Sequence, residues 1–325
     1  MLRLLLNRLL ILIPMLLGVS FAVFALAALS PSDPAEVAIR LNAMRPTPEL
    51  LMETRHALGL DEPFLVRYAH WLGGILQGDF GRSFVTGLPV AEEIARAFWP
   101  SLRLAAAALV LILATAIPIG VFCSKYEGRL TATLLSGAIF LASSMPAFWA
   151  GLLLIWLFSL QLGWLPTSGM RAPGAIVLPA LTLSLAYSGT YVRLIRNAMT
   201  AEADKDWVVF ARARGLSEGR IALRILVNSL ASSVTALGIS IPKLMAGAFV
   251  VESIFAWPGL GRLCITAIFS RDLPVVEAYV LVMAVLFAVF GLLADLAEAA
   301  LDPTRRERTA AAVDGGGDTQ RRSAA

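Results

Sequence analysis

The sequence predicts an all-helical integral membrane protein with six transmembrane helices. Of the 325 residues, 58% are hydrophobic and 15% are charged, and the mean hydropathy is +0.75. Soluble domains are typically about half apolar and about a quarter charged, so this composition excludes an ordinary soluble protein. Six long apolar segments approach the roughly 20 apolar residues that a spanning helix requires. The basic residues lie between these segments in a pattern that places them on one side of a membrane.

Charge and cysteine content exclude several other classes. The net charge is +4 and the isoelectric point is near 9.4, but the basic residues are spread over short loops, which does not favour nucleic acid as a partner. Cys123 and Cys264 lie far apart, without a C-x-x-C pair or partner histidines. They predict neither a disulfide framework nor a metal site, and we interpret both as small packing residues.

The first predicted helix occupies residues 1–30, with an apolar run at 9–29 preceded by Arg3 and Arg8. This pattern also resembles a secretory signal, because the tripeptide Ala-Leu-Ala at 25–27 is similar to a cleavage site. A signal peptide has an apolar core of about 7–15 residues, whereas this run is about twenty residues long. A retained membrane anchor is therefore favoured.

Residues 31–100 predict a small extracytoplasmic cap of mixed charge. The start Thr-Pro-Glu at 47–49 and the stop at Gly59 indicate a short amphipathic helix, because threonine caps helix starts and glycine closes helix ends. A second short helix is predicted across 62–75. The cap is too small and too mixed in charge to form a second core.

The core of the protein is predicted to extend over residues 101–302. Its apolar segments predict five more spanning helices, near residues 104–124, 131–160, 172–192, 225–251 and 278–294. The uncharged stretch 130–170 is too long for one span, so its end, "QLGWLPTSGM", is interpreted as a turn-rich exit. Residues 303–325 are small, polar and glycine-rich, and they predict a disordered cytoplasmic tail.

Lysine and arginine in short loops indicate the orientation, because basic segments are retained in the cytoplasm. Four basic clusters lie before the first span, after the second, after the fourth and after the sixth: Arg3 and Arg8; Lys125 and Arg129; Arg193, Arg196, Lys205, Arg212, Arg214, Arg220 and Arg224; and Arg305, Arg306 and Arg308. Six spans place all four clusters on one side, whereas a second helix within 130–170 would place the most basic loop outside. Both termini are therefore predicted to be cytoplasmic.

The most basic loop contains the segment "DWVVFARARGLSEGR" at 206–220. Four residues share one face of its first helix at i, i+3, i+4 and i+7, and they predict an exposed face with aromatic residues: Trp207, Phe210, Ala211 and Arg214. Gly215 is placed to close this helix in the left-handed conformation, and Ser217 to cap the next one. The spacing alone leaves two interpretations open, a helix that rests on anionic lipid and a surface that docks a protein.

Motifs along nearly the whole chain carry a resemblance to one family. They are "HALGLDEPFLVRYAHWLGGILQGDFGRS" at 56–83, "SSMPAFW" at 143–149, "ARARGLSE" at 211–218, "VESIFAWPGLGRL" at 251–263, "RDLPVV" at 271–276 and "ALDPTRR" at 300–306. The chain resembles the permease subunits of ABC-type, binding-protein-dependent importers, in particular the dipeptide and oligopeptide group. Each motif alone is weak, but together they are highly specific.

The resemblance implies a non-catalytic, multi-pass subunit of a bacterial inner membrane. It would form the path for di- and oligopeptides with a second homologous permease, and a periplasmic or lipid-anchored binding protein would deliver the substrate. Two cytoplasmic ATPases would bind ATP and magnesium. This chain has no G-x-x-x-x-G-K-[ST] phosphate loop and is expected to bind no cofactor itself. The ATPases would dock on a coupling loop at 197–226, through Asp206, Trp207, Phe210, Ala211, Ala213, Arg214, Gly215 and Leu216.

Some positions depart from the family pattern. The loop motif often begins Glu-Ala-Ala, but Val209, Phe210 and Ala211 hold those places. The stretch 215–228 is one residue shorter than the pattern, and Ser232 stands where a proline is usual. These departures bear on the tilt of the fifth span, and they leave room for a substrate other than peptides, such as nickel complexes, glutathione or another small solute.

Lys243 is the most unusual single residue. It lies about fifteen residues after Asn228, hence roughly 20 Å along the fifth span and near or just beyond the midplane. A charge at the midplane costs at least about 2.5 kcal/mol and usually faces an interior cavity. One hypothesis is that Lys243 lines the translocation path and meets a carboxylate, such as a peptide C-terminus. The alternatives are snorkelling to the interface and an ion pair with a partner subunit.

The sequence also bears on other functions that a membrane protein can have. An intramembrane enzyme would need a nucleophile and base or a metal constellation within the bundle, and both histidines lie between the first two spans. A secondary transporter driven by an ion gradient often carries inverted repeats with broken helices, and the sequence shows no clear repeat. A simple channel would have no use for the surface helix. The importer subunit remains the favoured interpretation.

Overall fold

The computed structural model describes residues 2–29, 33–41, 45–232 and 239–301, and the elements within them are helices. Their bounds are α1 Leu2–Ala28, α2 Pro34–Leu41, α3 Pro48–Ala57, α4 Phe64–Leu76, α5 Val90–Lys125, α6 Leu130–Ser144, α7 Ala147–Leu154 with a π-helical turn Ile155–Gln161, α8 Val177–Ala203, α9 Asp206–Ala213, α10 Glu218–Ser232, α11 Ser240–Gly247, α12 Phe249–Ile254, α13 Leu260–Ser270 and α14 Leu273–Leu301. The all-helical prediction is confirmed for these residues. The tail predicted at 303–325 lies outside them.

The centre of the bundle is the packing of α5 against α8. One stripe of α5 is fully buried and consists mainly of small or branched residues: Leu104, Ala105, Ala108, Ile112 and Ala116. Further along, a Cβ on Gly120 would lie 2.8 Å from Cγ2 of Ile195 on α8, so only glycine allows this approach. Small residues drive helix association in membranes because they let backbones pack closely.

Three helices within the described residues are long and apolar enough to cross a membrane: Leu10–Ala28, Val90–Lys125 and Leu273–Ala297. The bent pair formed by α6 and α7 would add a fourth. The helix α5 begins at Val90, inside the range assigned to the cap, so it extends beyond the predicted span 104–124. These candidates support a multi-pass membrane protein.

The prediction of a single helix near 131–160 is wrong. The chain bends by 98° between α6 and α7, and the second arm ends in a π-helical turn. The cause lies at Pro146, which has no N–H to donate and restricts the residue before it. That residue, Met145, adopts an extended conformation with ψ of 137°. The uncharged stretch is therefore accommodated by two short arms.

The helix predicted at 225–251 is divided in the structure. The helix α10 ends at Ser232, and α11 and α12 follow residues 233–238, which lie outside the described part. The helices α11 and α12 meet at Ala248, which has ψ of −11°. Within the described residues, the fifth predicted span is therefore interrupted at Ala248, and Lys243 lies on α11.

The two helices predicted between the first and second spans are confirmed. The helix α3 follows Thr47, whose Oγ1 accepts a hydrogen bond from the Leu50 N–H at 3.3 Å, and Gly59 has φ of 65° beyond its end. Aromatic contacts fasten α4 to α1, since the ring centroid of Phe24 lies 5.2 Å from that of Trp71. The capping residues define the ends of α3, and the aromatic contacts hold α4 against α1.

A buried carboxylate holds the segment after α12. Glu252 is fully buried, and its Oε1 accepts a hydrogen bond from Ser101 Oγ of α5 at 2.5 Å. Its Oε2 accepts one from the Arg262 N–H at 3.0 Å. The indole of Trp257 also donates to the Pro100 carbonyl at 2.9 Å. These donors offset the cost of burying the carboxylate and anchor the segment to α5.

A second buried carboxylate connects two of the sequence motifs. Asp272 accepts hydrogen bonds from Ser83 Oγ at 2.5 Å and from the Phe84 N–H at 3.0 Å. Its motif at 271–276 is therefore joined to the end of the motif at 56–83. The start of α14 and the segment before α5 are fixed to each other by this contact.

We predict that Gly261→Ala destabilises the protein. A Cβ there would lie 2.5 Å from Cα of Phe249, so the backbone of α12 or α13 would have to move. Overpacking of this kind typically costs about 1–3 kcal/mol. Thermal unfolding of the purified protein should show a melting temperature lowered by several degrees.

The matched control is Gly219→Ala on α10, where a Cβ would meet no atom within 4 Å. Alanine favours helix more than glycine, so this variant should melt at the same or a slightly higher temperature. Equal melting temperatures for the two variants would contradict the close contact between α12 and α13.

Candidate functional site

The helices α8, α9 and α10 form a sharp elbow. The Gly215 N–H bonds to the Arg212 carbonyl at 2.9 Å, and the Leu216 N–H bonds to the Ala211 carbonyl at 3.2 Å. Gly215 has φ of 74°, so these bonds form the Schellman closure of a helix. The predicted stop at Gly215 is confirmed, and α10 begins directly after Ser217, as expected.

One face of α9 packs against the bundle and the other is exposed. Val208 is fully buried and Ala211 is 7% exposed, which fixes the inner face. On the outer face, Val209 is 64% exposed and Phe210 is 68% exposed. Two large apolar side chains side by side on a short surface helix form a patch suited to a partner. We call Val209 and Phe210 the apolar patch.

The carboxylate of Glu202 joins three helices at the elbow. It lies at the end of α8, is 7% exposed, and accepts a hydrogen bond from the Trp207 indole of α9 at 2.9 Å. It also accepts bonds from Asn228 Nδ2 of α10 at 3.2 Å and from Lys205 Nζ at 2.5 Å. We call this arrangement the Glu202 junction. Sequence reasoning missed Glu202, although its position three residues before Lys205 indicated an ion pair on one helix face.

The electrostatics of the junction favour a charged carboxylate. Burial by itself would raise the pKa of Glu202, but the hydrogen bonds from Lys205, Trp207 and Asn228 outweigh it and hold the pKa below its usual value. A group with a lowered folded-state pKa stabilises the fold above its unfolded pKa. The contribution is therefore present at neutral pH and is lost as the pH falls through the lowered pKa.

A second pair of contacts connects α5 with this end of the bundle. Ser124 Oγ lies 3.3 Å from Thr200 Oγ1, and Arg196 donates a hydrogen bond to Glu127 at 2.8 Å. The last turns of α5 and α8 are therefore adjacent. Ser101, which binds Glu252, lies about 35 Å away along α5 at 1.5 Å per residue. The contacts of Glu252 with Ser101 and Arg262 are called the Glu252 anchor. The Glu202 junction and the Glu252 anchor thus lie at opposite ends of the bundle.

Lys243 is exposed on α11. Its Nζ lies 5.9 Å from the ring centroid of Tyr187 on α8. One turn before it, Ser240 Oγ accepts a 2.6 Å hydrogen bond from Tyr191. The lysine therefore belongs to a contact between α8 and α11 within the apolar bundle.

Comparison with known proteins identifies the family. Residues 116–307 match the family described as binding-protein-dependent transport system inner membrane component, and residues 1–105 match its N-terminal family. The chain belongs to this family of ABC importer permeases. Such a permease is a transmembrane subunit and is not itself catalytic.

Two relatives of this permease cover almost its full length. The metal-staphylopine import system permease protein CntB of Staphylococcus aureus is 38% identical over 308 residues, which cover 94% of this chain and 99% of the relative. The glutathione transport system permease protein GsiC of Escherichia coli is 37% identical over 311 residues, with the same coverage. Both relatives are named as permeases of small-solute importers.

The fold of the permease is also found in a solved structure. An inward-facing conformation of the MetNI methionine ABC transporter matches with a TM-score of 0.55 and 18% identity. The match covers 64% of this chain and 96% of that chain. The architecture of an ABC importer permease is therefore present here.

The structure separates the coupling residues predicted for this permease into two groups. The expectation that all four face residues are exposed together is wrong for Trp207, which is half-buried at the Glu202 junction, and for Ala211, which faces the bundle. Of the other predicted coupling residues, Leu216 is half-buried. The remaining five are exposed: Asp206, Phe210, Ala213, Arg214 and Gly215. Val209 was missed, although an inward face at 207, 208 and 211 would have indicated it.

We predict that Glu202→Ala loosens the elbow. The variant leaves the indole of Trp207 and the amide of Asn228 without their common acceptor, and hydrogen bonds to charged groups contribute about 1.5–3 kcal/mol each. Trypsin should therefore cleave after Arg212 and Arg214 at least about tenfold faster, since tenfold corresponds to only about 1.4 kcal/mol of local stability.

The control is Asp204→Ala, which removes an exposed carboxylate two residues away. Its cleavage rate should equal that of the unaltered protein. Equal rates for both variants would show that Glu202 does not hold the elbow together.

Proposed function

We propose that this permease forms, with a second homologous permease, the translocation path of an ATP-driven importer. Two cytoplasmic ATPases would bind ATP and magnesium, and a periplasmic or lipid-anchored protein would deliver the solute. Membership of the family supports the general assembly. The observation that carries the proposal is the apolar patch on α9, because it offers an exposed docking surface that is rigidly joined to two long helices.

Di- and oligopeptides are the first candidate substrates, on the strength of the sequence motifs. A second candidate is another small solute, such as a nickel complex or glutathione. The relatives favour this second candidate, since they are named for metal-staphylopine and glutathione import. The mechanism would be the same in both cases, because a binding protein would deliver either solute to the same path.

The proposed topology has six spans and both termini in the cytoplasm. The spans would be α1, α5, the bent pair α6 and α7, α8, the series α10 to α12, and α14. The adjacent ends of α5 and α8 carry Lys125, Arg196 and Lys205, which supports a cytoplasmic position for this end. The Glu252 anchor and the region 31–100 would then lie outside.

Coupling would proceed through the elbow as a lever. The apolar patch would enter a groove of an ATPase, and closure of the ATPases would displace α9. The Glu202 junction and the Schellman closure would transmit this displacement rigidly to α8 and α10. The two permeases would then rock between outward-facing and inward-facing states.

The test is uptake by the complete importer in lipid vesicles. Solute uptake should require ATP, and Phe210→Ala should lower it by at least about tenfold, because loss of an interface anchor costs 2 kcal/mol or more. A cysteine at position 210 should also crosslink to the ATPase.

The matched control is Phe269→Ala on α13, since Phe269 is 85% exposed but lies far from the elbow in sequence. This variant should retain uptake. Equal losses in the two variants would contradict the role of the apolar patch in docking. Uptake by this chain alone in an ion gradient would contradict the proposal as a whole and favour a secondary transporter.

A further inference from the structure

Part of the surface of α8 is polar although the helix lies in an apolar bundle. Four residues at spacings of three, four and four are exposed along this helix: Thr190, Arg193, Asn197 and Ala201. Three of them carry hydrogen-bonding groups. Residues at such spacings share one face of a helix, so they form a continuous line.

One cation belongs to this line and a second lies beside its start. The guanidinium of Arg193, within the line, lies 5.7 Å from the ring centroid of Phe140 on α6. Nζ of Lys243 lies 5.9 Å from the ring of Tyr187, which precedes Thr190 by one turn. We call Tyr187, Thr190, Arg193, Asn197 and Lys243 the cationic stripe.

The composition of the stripe is typical of a surface that lines an aqueous path through a membrane. Lys243 is the only charged residue in 172–192 and 225–251. Charged and polar side chains within membrane segments generally face a water-filled cavity or a protein partner, because exposure to hydrocarbon is costly. Thr190 and Lys243 lie within the predicted spans, where a lipid-facing surface would not place a lysine. Arg193 and Asn197 continue the line toward the end of α8 that is predicted to be cytoplasmic.

The cations of the stripe are not neutralised by the part of the chain that the structure describes. The ion pairs found there involve other basic residues, including Arg196, which binds Glu127. The neighbours of Lys243 and Arg193 are the aromatic rings of Tyr187 and Phe140, which leave the donors free to point elsewhere. A positive potential therefore remains at this surface.

We infer that the cationic stripe is the part of the translocation path that selects a solute carrying carboxylates. Arginine binds carboxylates with two parallel hydrogen bonds, and lysine adds a compact positive charge. The hydroxyls of Tyr187 and Thr190 and the amide of Asn197 can donate to carboxylate oxygens at successive positions along the stripe. The inference rests on the proposed function, since it assigns a substrate class to that path.

The charge of the stripe also restricts how a metal could pass. A bare divalent cation would be repelled by Lys243 and Arg193, whereas a metal enclosed by a carboxylate-bearing chelator would present its oxygens to them. A peptide would present its C-terminus. The stripe thus fits both candidate substrates of the importer through one chemical group, and it disfavours free cations.

The experiment measures the potential at the stripe without knowledge of the solute. Thr190→Cys is introduced into the complete importer in phosphatidylcholine vesicles. Two methanethiosulfonate reagents of similar size, one with a sulfonate and one with a trimethylammonium group, are then compared, with rates normalised to a small free thiol. The two native cysteines are buried, and the importer without Thr190→Cys gives the background.

The anionic reagent should react at least about fivefold faster, because nearby positive charges attract it and repel the cationic one. Lys243→Met and Arg193→Met should each reduce this preference. Arg129→Met is the matched control, since Arg129 lies at the start of α6, about 16 Å along that helix from Phe140. It should leave the preference unchanged.

Each other result overturns the inference. No reaction with either reagent means that the stripe is not exposed to water. Equal rates, or a preference that survives both substitutions, mean that the stripe is not the source of a positive potential. Loss of the preference when phosphatidylglycerol is added means that anionic lipid occupies the stripe.

The same importer distinguishes failure of the inference from failure of the proposed function. If ATP drives uptake but the anionic preference is absent, the path exists and its selectivity lies elsewhere. If the preference is present but ATP neither drives uptake nor alters the rate at position 190, the stripe exists in a protein that is not an ATP-driven importer.

Discussion

The rigidity of the elbow depends on one carboxylate that serves three helices. Glu202 lies in the last turn of α8, accepts a hydrogen bond from the Trp207 indole of α9 and accepts another from the Asn228 amide of α10. A buried carboxylate without donors would be costly, so the three helices are stable only in the arrangement that supplies them. A short surface helix could otherwise hinge freely at its ends. The junction makes α9 part of the bundle and leaves its outer face available.

Two other carboxylates have a corresponding role at the opposite end of the bundle. Glu252 ties the segment after α12 to α5, and Asp272 ties the start of α14 to the segment before α5. Both ends of α5 are thus fixed by polar contacts, whereas its middle is held by the close packing of small residues. This distribution suits a subunit that moves as a unit. Displacement at the elbow would be carried along α5 and α8 rather than absorbed by them.

Sequence reasoning predicted the features that depend on a few neighbouring residues. Thr47, Gly59 and Gly215 mark helix ends through local backbone geometry, and the structure confirms each of them. The division of the third predicted span at Pro146 was missed. Proline interrupts a helix locally, but packing of the two arms decides the angle, which is 98°. The inward rotation of Trp207 was missed for a similar reason. Its acceptor, Glu202, and the third partner, Asn228, meet only after the elbow has folded.

The most direct test of the lever is the amount of solute moved for each ATP hydrolysed by an importer that carries Glu202→Ala. The account predicts that the ATPases still dock on the apolar patch and hydrolyse ATP, while uptake falls severalfold because the displacement of α9 no longer reaches α8 and α10. A constant ratio of solute to ATP, with both rates unchanged or lowered together, would contradict it.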